Sequence, residues 1–432
     1  MQPDGNIVTL DRRPIGDSLP EIRSTTRQPI VTQRLTGGPA QSLSDARAAG
    51  VYQALEDAVS HRSQVQVLAE VEASGERGRG GAGYPTGAKW KVCAKTPSDV
   101  RYVIANGDEG DPGSYVDRVL MEHDPHAILE GMALCGYAVG AEQGVVFVRW
   151  EYPRAYEVMC EAVEEARRAR LLGRGILGHD LEFNVTVMRG QGGYVCGEET
   201  ALINAIEGER GEVRLRPPYP AESGLWGRPT IVNNVETLVN IPWIIQHGAE
   251  AYRALGTQES SGNKVICLNS GFSRPGMVEV EFGTPLAQVI EEAGSGAGAK
   301  QVLAVLLGGP MGTLLTPDRW DVPICYDEMR RRSISLGHGG VVAILEDTDC
   351  RALFENLIQF MADESCGKCV PCRAGSKRLM EMVQAGAYRR DEIEATLGVV
   401  AAASLCPFGH ETPGPLRDLL ELFGDQILCE QK

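Results

Sequence analysis

A chain of 432 residues with a formal charge of −16 at neutral pH is a poor match for nucleic acid or an anionic membrane surface, so its macromolecular partners are expected to be proteins. With 43% apolar and 23% charged residues it can fill the cores of several domains and does not resemble a disordered segment. No run approaches the roughly 20 apolar residues of a membrane-crossing helix, and Arg12-Arg13 is followed by Pro14-Ile15-Gly16-Asp17 instead of the apolar stretch of an export signal, so a cytoplasmic protein without direct membrane insertion is expected.

Residues 1–40 are rich in Pro, Thr, Gly and charge without periodicity and read as an extended arm. Helices are expected over 45–61 and 64–74; the second carries Val65, Val67, Leu68 and Val71 at near-helical spacing and stops at Gly75. It leads into Gly78-Arg79-Gly80-Gly81-Ala82-Gly83-Tyr84-Pro85-Thr86-Gly87-Ala88-Lys89-Trp90, where clustered glycines clear side chains away from the backbone. Gly78, Gly80 and Gly83 fit the dinucleotide fingerprint G-x-G-x-x-G, but that fingerprint needs a strand before it and a helix after it. The helical segment before the loop and Pro85 behind the glycines argue against both. Two readings stay open: a bare turn, or a nest of N–H groups that, with Arg79 and Lys89, holds a phosphate or faces a flat ring.

From residue 99 to 247 strand-like and helical segments alternate, with strands at 101–105 and 145–148 and helices at 127–139 and 154–172, an α/β pattern of the doubly wound kind. Asn106-Gly107-Asp108-Glu109-Gly110-Asp111-Pro112-Gly113-Ser114 follows the first strand, and ligands of such sheets sit at the carboxyl ends of strands. Gly190-Gln191-Gly192-Gly193-Tyr194-Val195-Cys196-Gly197 follows a strand at 183–188 and opens a helix at 198–207, so glycine N–H groups and a helix N-terminus converge there. Glu198 and Glu199 are then either ordinary partners of the helix dipole or ligand-binding groups. Arg216-Pro217-Pro218-Tyr219-Pro220 is a rigid turn, and Asn233-Asn234-Val235-Glu236-Thr237 opens another helix.

Strands at 265–268, 277–280 and 302–307 surround a helix with Thr284 as N-cap and Pro285 as its first residue, and Gly308-Gly309-Pro310-Met311-Gly312 is a turn in what reads as a scaffolding or docking module. From 351 onward Leu353, Leu357, Ile358 and Met361 share one helical face, and helices at 376–384, 391–402 and 415–423 complete a four-helix bundle. Twelve cysteines in a cytosolic chain point to metal, not disulfides. Cys366, Cys369 and Cys372, spaced C-x2-C-x2-C, let one loop wrap three corners of a cubane, with Cys406, before Pro407, as the candidate fourth ligand. Zinc held by four thiolates is the alternative. The other cysteines read as small buried or surface residues.

Together the 78–90 loop, the 106–114 loop and Glu364-Ser365-Cys366-Gly367-Lys368-Cys369-Val370-Pro371-Cys372-Arg373 closely resemble the flavoprotein subunit of NADH dehydrogenases. That family spans respiratory complex I and the diaphorase subunits of soluble NAD-linked hydrogenases, formate dehydrogenases and aldehyde oxidoreductases. The resemblance runs from about residue 63 to the C-terminus, and it favours a [4Fe-4S] cluster over zinc. It implies a Rossmann-like flavin and NAD(H) domain over 41–250, a small β-grasp domain over 262–346 and a helical bundle carrying the cluster over 350–432. FMN is the implied cofactor, FAD the alternative, and NAD(H) the substrate. By resemblance the flavin contacts are Gly78, Arg79, Gly80, Gly81, Ala82, Gly83, Lys89, Asn106, Asp108, Glu109, Tyr194, Gly197, Glu198, Glu199, Asn233, Asn234 and Thr237. Tyr84, Asp111, Glu199, Arg216 and Tyr219 would meet NAD(H).

The chain departs from the complex I pattern in four ways. Tyr84 and Tyr219 stand where Phe is usual, Val92 replaces a third aromatic, Arg216 replaces Lys, and the carboxylate loop reads Asp-Glu-Gly-Asp-Pro-Gly, closer to soluble diaphorases. The expectation is therefore a diaphorase subunit of a soluble multisubunit oxidoreductase. It would exchange hydride between NAD(H) and flavin and pass single electrons through the cluster to or from an iron-sulfur electron-transfer subunit and a catalytic subunit. The alternatives are the peripheral NADH-binding subunit of complex I, or an electron-transfer subunit without NADH binding.

Overall fold

The computed structural model describes residues 19–35, 42–386 and 389–428. Its first sheet grows around Tyr102–Gly107, where Val103, Ile104 and Ala105 are fully buried, as a parallel strand covered on both faces requires. Gln143–Val148 pairs parallel on one side and Thr230–Asn234 on the other. Glu182–Arg189 extends the sheet in parallel beyond Gln143–Val148, and the short Gly173–Arg174 closes that edge antiparallel. The chain steps outward from 102–107 to 143–148 to 182–189 and then returns to the far side of 102–107. That reversal is a topological switch point, and such sheets bind ligands outside the carboxyl ends of the strands flanking it. Here those ends are Asn106-Gly107 and Asn233-Asn234. Helices Pro125–Val139 and Val235–His247 cover one face in close contact, for a Cβ at Gly131 would lie 2.2 Å from the Leu238 carbonyl oxygen.

The second sheet has the order Ile22–Ser24, Gly276–Glu281, Asn263–Leu268, Gly340–Leu345, Val302–Leu307, Thr313–Leu315. Its first and last long strands, Asn263–Leu268 and Gly340–Leu345, pair parallel at the centre, the β-grasp arrangement. Ile22–Ser24 adds a parallel edge strand to it. The described part of the arm is thus built into this sheet. The backbone N–H groups of Ile30, Val31 and Thr32 donate to the fully buried Glu279 carboxylate at 2.8, 3.1 and 2.8 Å, and the Thr32 hydroxyl donates at 2.6 Å. Cys350–Glu364, Val370–Gln384, Arg390–Ala403 and Pro413–Leu428 form the terminal bundle. Among the described residues no helix is long and apolar enough to cross a membrane.

Several local expectations are corrected. The helix expected over 45–61 is two, Leu43–Ala48 and Gln53–His61, because Gly50 and Tyr52 take φ of +89° and +74° and break the ladder. Pro85 does not block a helix: Thr86–Lys95 starts directly behind it, and Pro85, at φ −60°, serves as its N-cap residue, where a missing N–H costs nothing. The fingerprint therefore fails on its strand alone, since Gln64–Ser74 before the loop is a helix with a Ser63/Gln66 capping box. Thr284 is not an N-cap; its hydroxyl donates back to the Glu281 carbonyl at 2.8 Å, and Pro285 takes the cap position before Leu286–Gln288. The second bundle helix begins at Val370 and not 376, Pro371 being tolerated in its first turn. That start places Cys372 on the helix itself and leaves Cys366 and Cys369 ahead of it.

A fully buried ion pair ties the helix Val235–His247, which covers the first sheet, to the second sheet. Lys264 Nζ lies 2.5 Å from Glu236 Oε2, and Glu236 Oε1 accepts the Val265 N–H at 2.9 Å. Removing one member strands a buried charge, which typically costs about 3–5 kcal/mol, whereas removing both together costs far less. Lys264→Met should therefore destabilise by about that amount in denaturant unfolding, and Lys264→Met/Glu236→Met should recover most of it. A double variant no more stable than the single would show that the pair is not what joins the sheets.

Candidate functional site

At the switch point, between the two sheets, lies a cleft of about 870 Å³, within the range of about 300–1,000 Å³ for cofactor and ligand sites. Gly78, Gly80, Gly81 and Ala82 form part of its wall. The glycines also serve packing. A Cβ at Gly80 would lie 3.2 Å from Asn234 Cβ, one at Gly83 would lie 2.8 Å from the Tyr326 ring, and Gly81, at φ +119°, would face Gly337 backbone at 3.3 Å. The Tyr326 hydroxyl donates to the Gly78 carbonyl at 3.0 Å. The loop is wedged between the first sheet and the 326–338 segment of the second.

Of the residues expected at the flavin, the structure brings Lys89, Asn106, Glu109, Tyr194, Gly197, Glu198, Glu199, Asn233 and Asn234 to this cleft, and of those expected at NAD(H), Tyr84, Asp111, Glu199, Arg216 and Tyr219. Arg79, Gly83, Asp108 and Thr237 do not line it. The Arg79 side chain turns inward and is wholly buried, where it meets Glu76 Oε2 at 2.6 Å, the Tyr252 hydroxyl at 2.7 Å and the face of Phe282 at 4.7 Å. Its charge is spent on a core carboxylate, which corrects its reading as an anion ligand. Thr237 is fully buried behind the loop, its hydroxyl accepting the Arg79 N–H at 2.9 Å.

The polar groups facing the cleft are largely oriented by the protein itself. Asn106 Nδ2 donates to the Gly197 carbonyl at 2.9 Å, and Asn233 Oδ1 accepts the Trp90 indole N–H at 2.9 Å. Glu198 Oε2 caps the helix Glu199–Ile206 by accepting the Thr200 and Ala201 N–H groups at 3.0 Å each, while Oε1 has no hydrogen-bond donor and lies 3.4 Å from Arg216. Glu199 is held from two sides, 3.1 Å from Lys89 Nζ and 3.0 Å from Arg216 Nη1. Tyr84 and Tyr219 present rings that are 53% and 55% exposed, unusual for packed aromatics and suited to stacking.

Burial pushes Asp108 up to about 7, with Arg149 opposing, and it pushes Asp111 up to about 7, with His338 and the Tyr194 hydroxyl at 3.2 Å opposing. Near neutral pH the cleft is therefore less negative than its carboxylate count suggests. Glu109 sits at φ +37° and accepts the Asp117 and Arg118 N–H groups at 2.8 Å each, capping Val116–His123 from within.

Sequence reasoning missed the second sheet's share of the wall: Tyr326, Met329, Arg330 and the 334–338 loop. The signal is present as a further glycine cluster, Gly337-His338-Gly339-Gly340, between strands.

The four motif cysteines gather where the bundle meets this cleft. Cys366 and Cys369 are half-buried, and Cys372 and Cys406 are buried. Burial pushes the Cys372 thiol up to about 11; the nearby Cys369, Cys406 and Cys366 thiols push the same way, and Ser365 Oγ, 3.2 Å from its sulfur, opposes. These four thiols, none in a disulfide, could together supply the donors of a thiolate-bound iron-sulfur cluster. Lys368 pairs with Glu212 at 2.5 Å, and Arg210 donates to the Cys366 carbonyl at 2.9 Å. Cys406 and Phe408 also line the cleft, and Tyr194 bridges the two places. Its N–H donates to Glu364 Oε2 at 2.8 Å and its ring packs on Phe360 and Phe408 with centroids 5.0 and 5.7 Å away.

A glycine-lined cleft at a switch point, with Cys406 of the gathered thiols in its wall, has the layout of a flavin- and iron-sulfur-dependent oxidoreductase. Residues 71–243 match the Nuo51 FMN-binding domain, and 352–429 match the NADH-ubiquinone oxidoreductase-F iron-sulfur binding region. The chain is 40% identical over 393 residues to the HndC subunit of the NADP-reducing hydrogenase of Solidesulfovibrio fructosivorans, spanning 89% of this chain and 80% of that one. It is 37% identical over 419 residues to the F-type subunit of the NADH-quinone oxidoreductase of Aquifex aeolicus, spanning 95% and 96%. A crystal structure of NAD+-reducing [NiFe]-hydrogenase in the H2-reduced state superposes with a TM-score of 0.82 at 34% identity, covering 95% of this chain and 67% of that one. The chain belongs to the family of NADH dehydrogenase flavoprotein subunits. The fold class, oxidoreductase class, FMN and [4Fe-4S] cluster expected by resemblance stand.

Gly81→Val would force a branched residue into φ +119° against Gly337 backbone. The variant should purify with flavin reduced at least about tenfold, equivalent to ~1.4 kcal/mol of lost affinity, read from the flavin-to-protein absorbance ratio. Full occupancy would make the loop a structural turn and not the cradle.

Proposed function

We propose that this chain is the NAD(H)-linked diaphorase subunit of a multisubunit oxidoreductase. It exchanges hydride between NAD(H) and FMN in the cleft and passes electrons through a [4Fe-4S] cluster on Cys366, Cys369, Cys372 and Cys406 to or from a partner subunit. The observation that carries this reading is that Cys406 belongs both to the thiol set and to the cleft wall. Bound flavin supplies the exchange between a two-electron hydride and single electrons. The chain supplies position and electrostatics: the exposed rings of Tyr84 and Tyr219 offer faces to a planar nucleotide, and the glycine loop and Asn233 line the flavin side. No side chain needs to act as an acid or base in hydride transfer. Two relatives bear hydrogenase and quinone-oxidoreductase names, and Asp-Glu-Gly-Asp-Pro-Gly favours the soluble assembly. The near-complete mutual coverage with the Aquifex aeolicus quinone-oxidoreductase relative supports the second reading, a peripheral complex I subunit. Subunits that copurify with the native protein separate the two.

Anaerobic addition of NADH should bleach the flavin absorbance of the purified chain; no bleaching overturns both readings. Cys369→Ala should lose the cluster's electron paramagnetic resonance signal and transfer to the natural acceptor while keeping part of the NADH-driven reduction of an artificial dye. Unchanged coupling to the natural acceptor without a cluster would refute this path.

Glu199 sets a third expectation. A carboxylate near the adenosine ribose accepts the 2′-hydroxyl and repels a 2′-phosphate, but Lys89 and Arg216 already compensate this one. Wild type should therefore prefer NADH only modestly, on the order of tenfold. Glu199→Gln, which releases both cations, should move the NADH/NADPH ratio of kcat/KM toward NADPH by about 10- to 100-fold. An unmoved ratio places the adenosine end elsewhere.

A further inference from the structure

His338 reaches the cleft from the second sheet and lies between two carboxylates of the first. Its Nε2 is 3.2 Å from Asp117 Oδ2, and its Nδ1 is 2.5 Å from Ser114 Oγ and 3.6 Å from Glu109 Oε1. All three acid-base groups are buried. Asp117 Oδ2 also accepts Asn234 Nδ2 at 2.6 Å, while Asn234 Oδ1 caps the helix Val235–His247 through the Glu236 N–H at 2.9 Å. The neighbouring Gly337 is the backbone that Gly81 faces. One imidazole thus meets the carboxylate that orients the Asn234 carboxamide, and it belongs to the loop that closes on the glycine loop.

We propose that His338 is a positioning residue for the flavin end of the cleft: bridging Asp117 and Glu109 as a cation, it clamps the 334–338 loop onto the glycine loop and so governs how tightly flavin is retained. This rests on reading the cleft as the flavin site. Burial opposes the charge on His338, but Asp117 and Glu109 outweigh it and hold the group up at about 9, with Lys264 on the adjacent strand working against them. Asp111 accepts the His338 backbone N–H, and Lys264 is itself paired with Glu236. Without its proton the imidazole keeps one N–H for either Asp117 or Ser114 Oγ, its attraction to Glu109 at 3.6 Å is lost, an unprotonated Nε2 would accept Asn234 Nδ2 at 3.1 Å instead of donating to Asp117, and the clamp loosens.

The sign follows. A group raised from an ordinary 6.5 to about 9 contributes fully below the lower value, and its contribution is lost as the pH rises through the upper one. Burial also pushes Glu109, as it does Asp108 and Asp111, up to about 7, so the clamp has both its anions only above that value and the window to be read runs from about 7 to about 9.

The test is FMN release from the full-length holoprotein on serial dilution, followed by flavin fluorescence across that pH window. Wild-type Kd should rise about tenfold toward pH ~9, the size of one charge-assisted hydrogen bond. His338→Gln should start about tenfold weaker and lose the alkaline rise, with iron content and circular dichroism unchanged. Asp117→Asn, which keeps the side-chain shape, should shift the rise to lower pH, and it serves if the His338 variant does not fold. A His338→Gln protein with wild-type Kd and an intact alkaline rise overturns the proposal. So does a divalent metal that copurifies stoichiometrically with wild type and is lost in the variant, since the three ligand atoms lie within 4.8 Å of one another and would suit such an ion. If wild type binds no FMN at all, the flavin-site reading falls and the proposal falls with it; if wild type binds FMN and the variant matches it, only the proposal falls.

Discussion

A charge removed from water must be met by an opposite charge or by hydrogen-bond donors, and the seam between the two sheets is built from that requirement. Glu236 meets Lys264, Glu76 meets Arg79 and the Tyr252 hydroxyl, and Glu109 and Asp117 meet His338. Each pair joins a segment beside the cleft to a segment of the core or of the other sheet. Burial pushes Glu76 up to about 7, with Arg79 and Tyr252 opposing, so even this carboxylate depends on its partners to stay ionised. Apolar contacts alone could let the sheets slide against each other. Directional charge pairs fix their register, and with it the shape of the space between them.

The cleft and the thiol set are likewise not independent modules. Tyr194 is fixed by Glu364, the last residue of the first bundle helix, and by two phenylalanines, one on that helix and one directly behind Cys406. The bundle therefore positions a wall of the nucleotide site while holding the cysteines. A cofactor in the cleft and one on the thiols would then lie on either side of that shared wall.

Much of this is legible in the sequence where local chemistry decides. Continuous apolar runs mark Val103 to Ala105 and Val145 to Val148 as buried parallel strands, and the C-x2-C-x2-C spacing with Cys406 marks the thiol set. What is not legible depends on distant partners. Arg79 looks like an anion ligand in a glycine loop until Glu76 and Tyr252 are seen behind it. The glycines around His338 mark a loop but not its partners, and its place follows from two carboxylates more than two hundred positions earlier. Glu199 looks like a bare negative charge, and only the fold brings Lys89 and Arg216 to it. Pro85 misleads because a proline that stops one helix can equally begin the next.

The arm suggests where this protein can be cut. Glu279 lies inside the second sheet, and besides Asn263 its donors are residues 30–32, well ahead of the matched flavin-binding segment that starts at 71. A chain trimmed to the two matched segments would keep the glycine loop and all four motif cysteines but would discard the sheet that closes the cleft. The smallest autonomous unit is set by where buried charges find their donors, so it must reach back to Ile30, and recombining parts among relatives should move the arm together with the strand it caps.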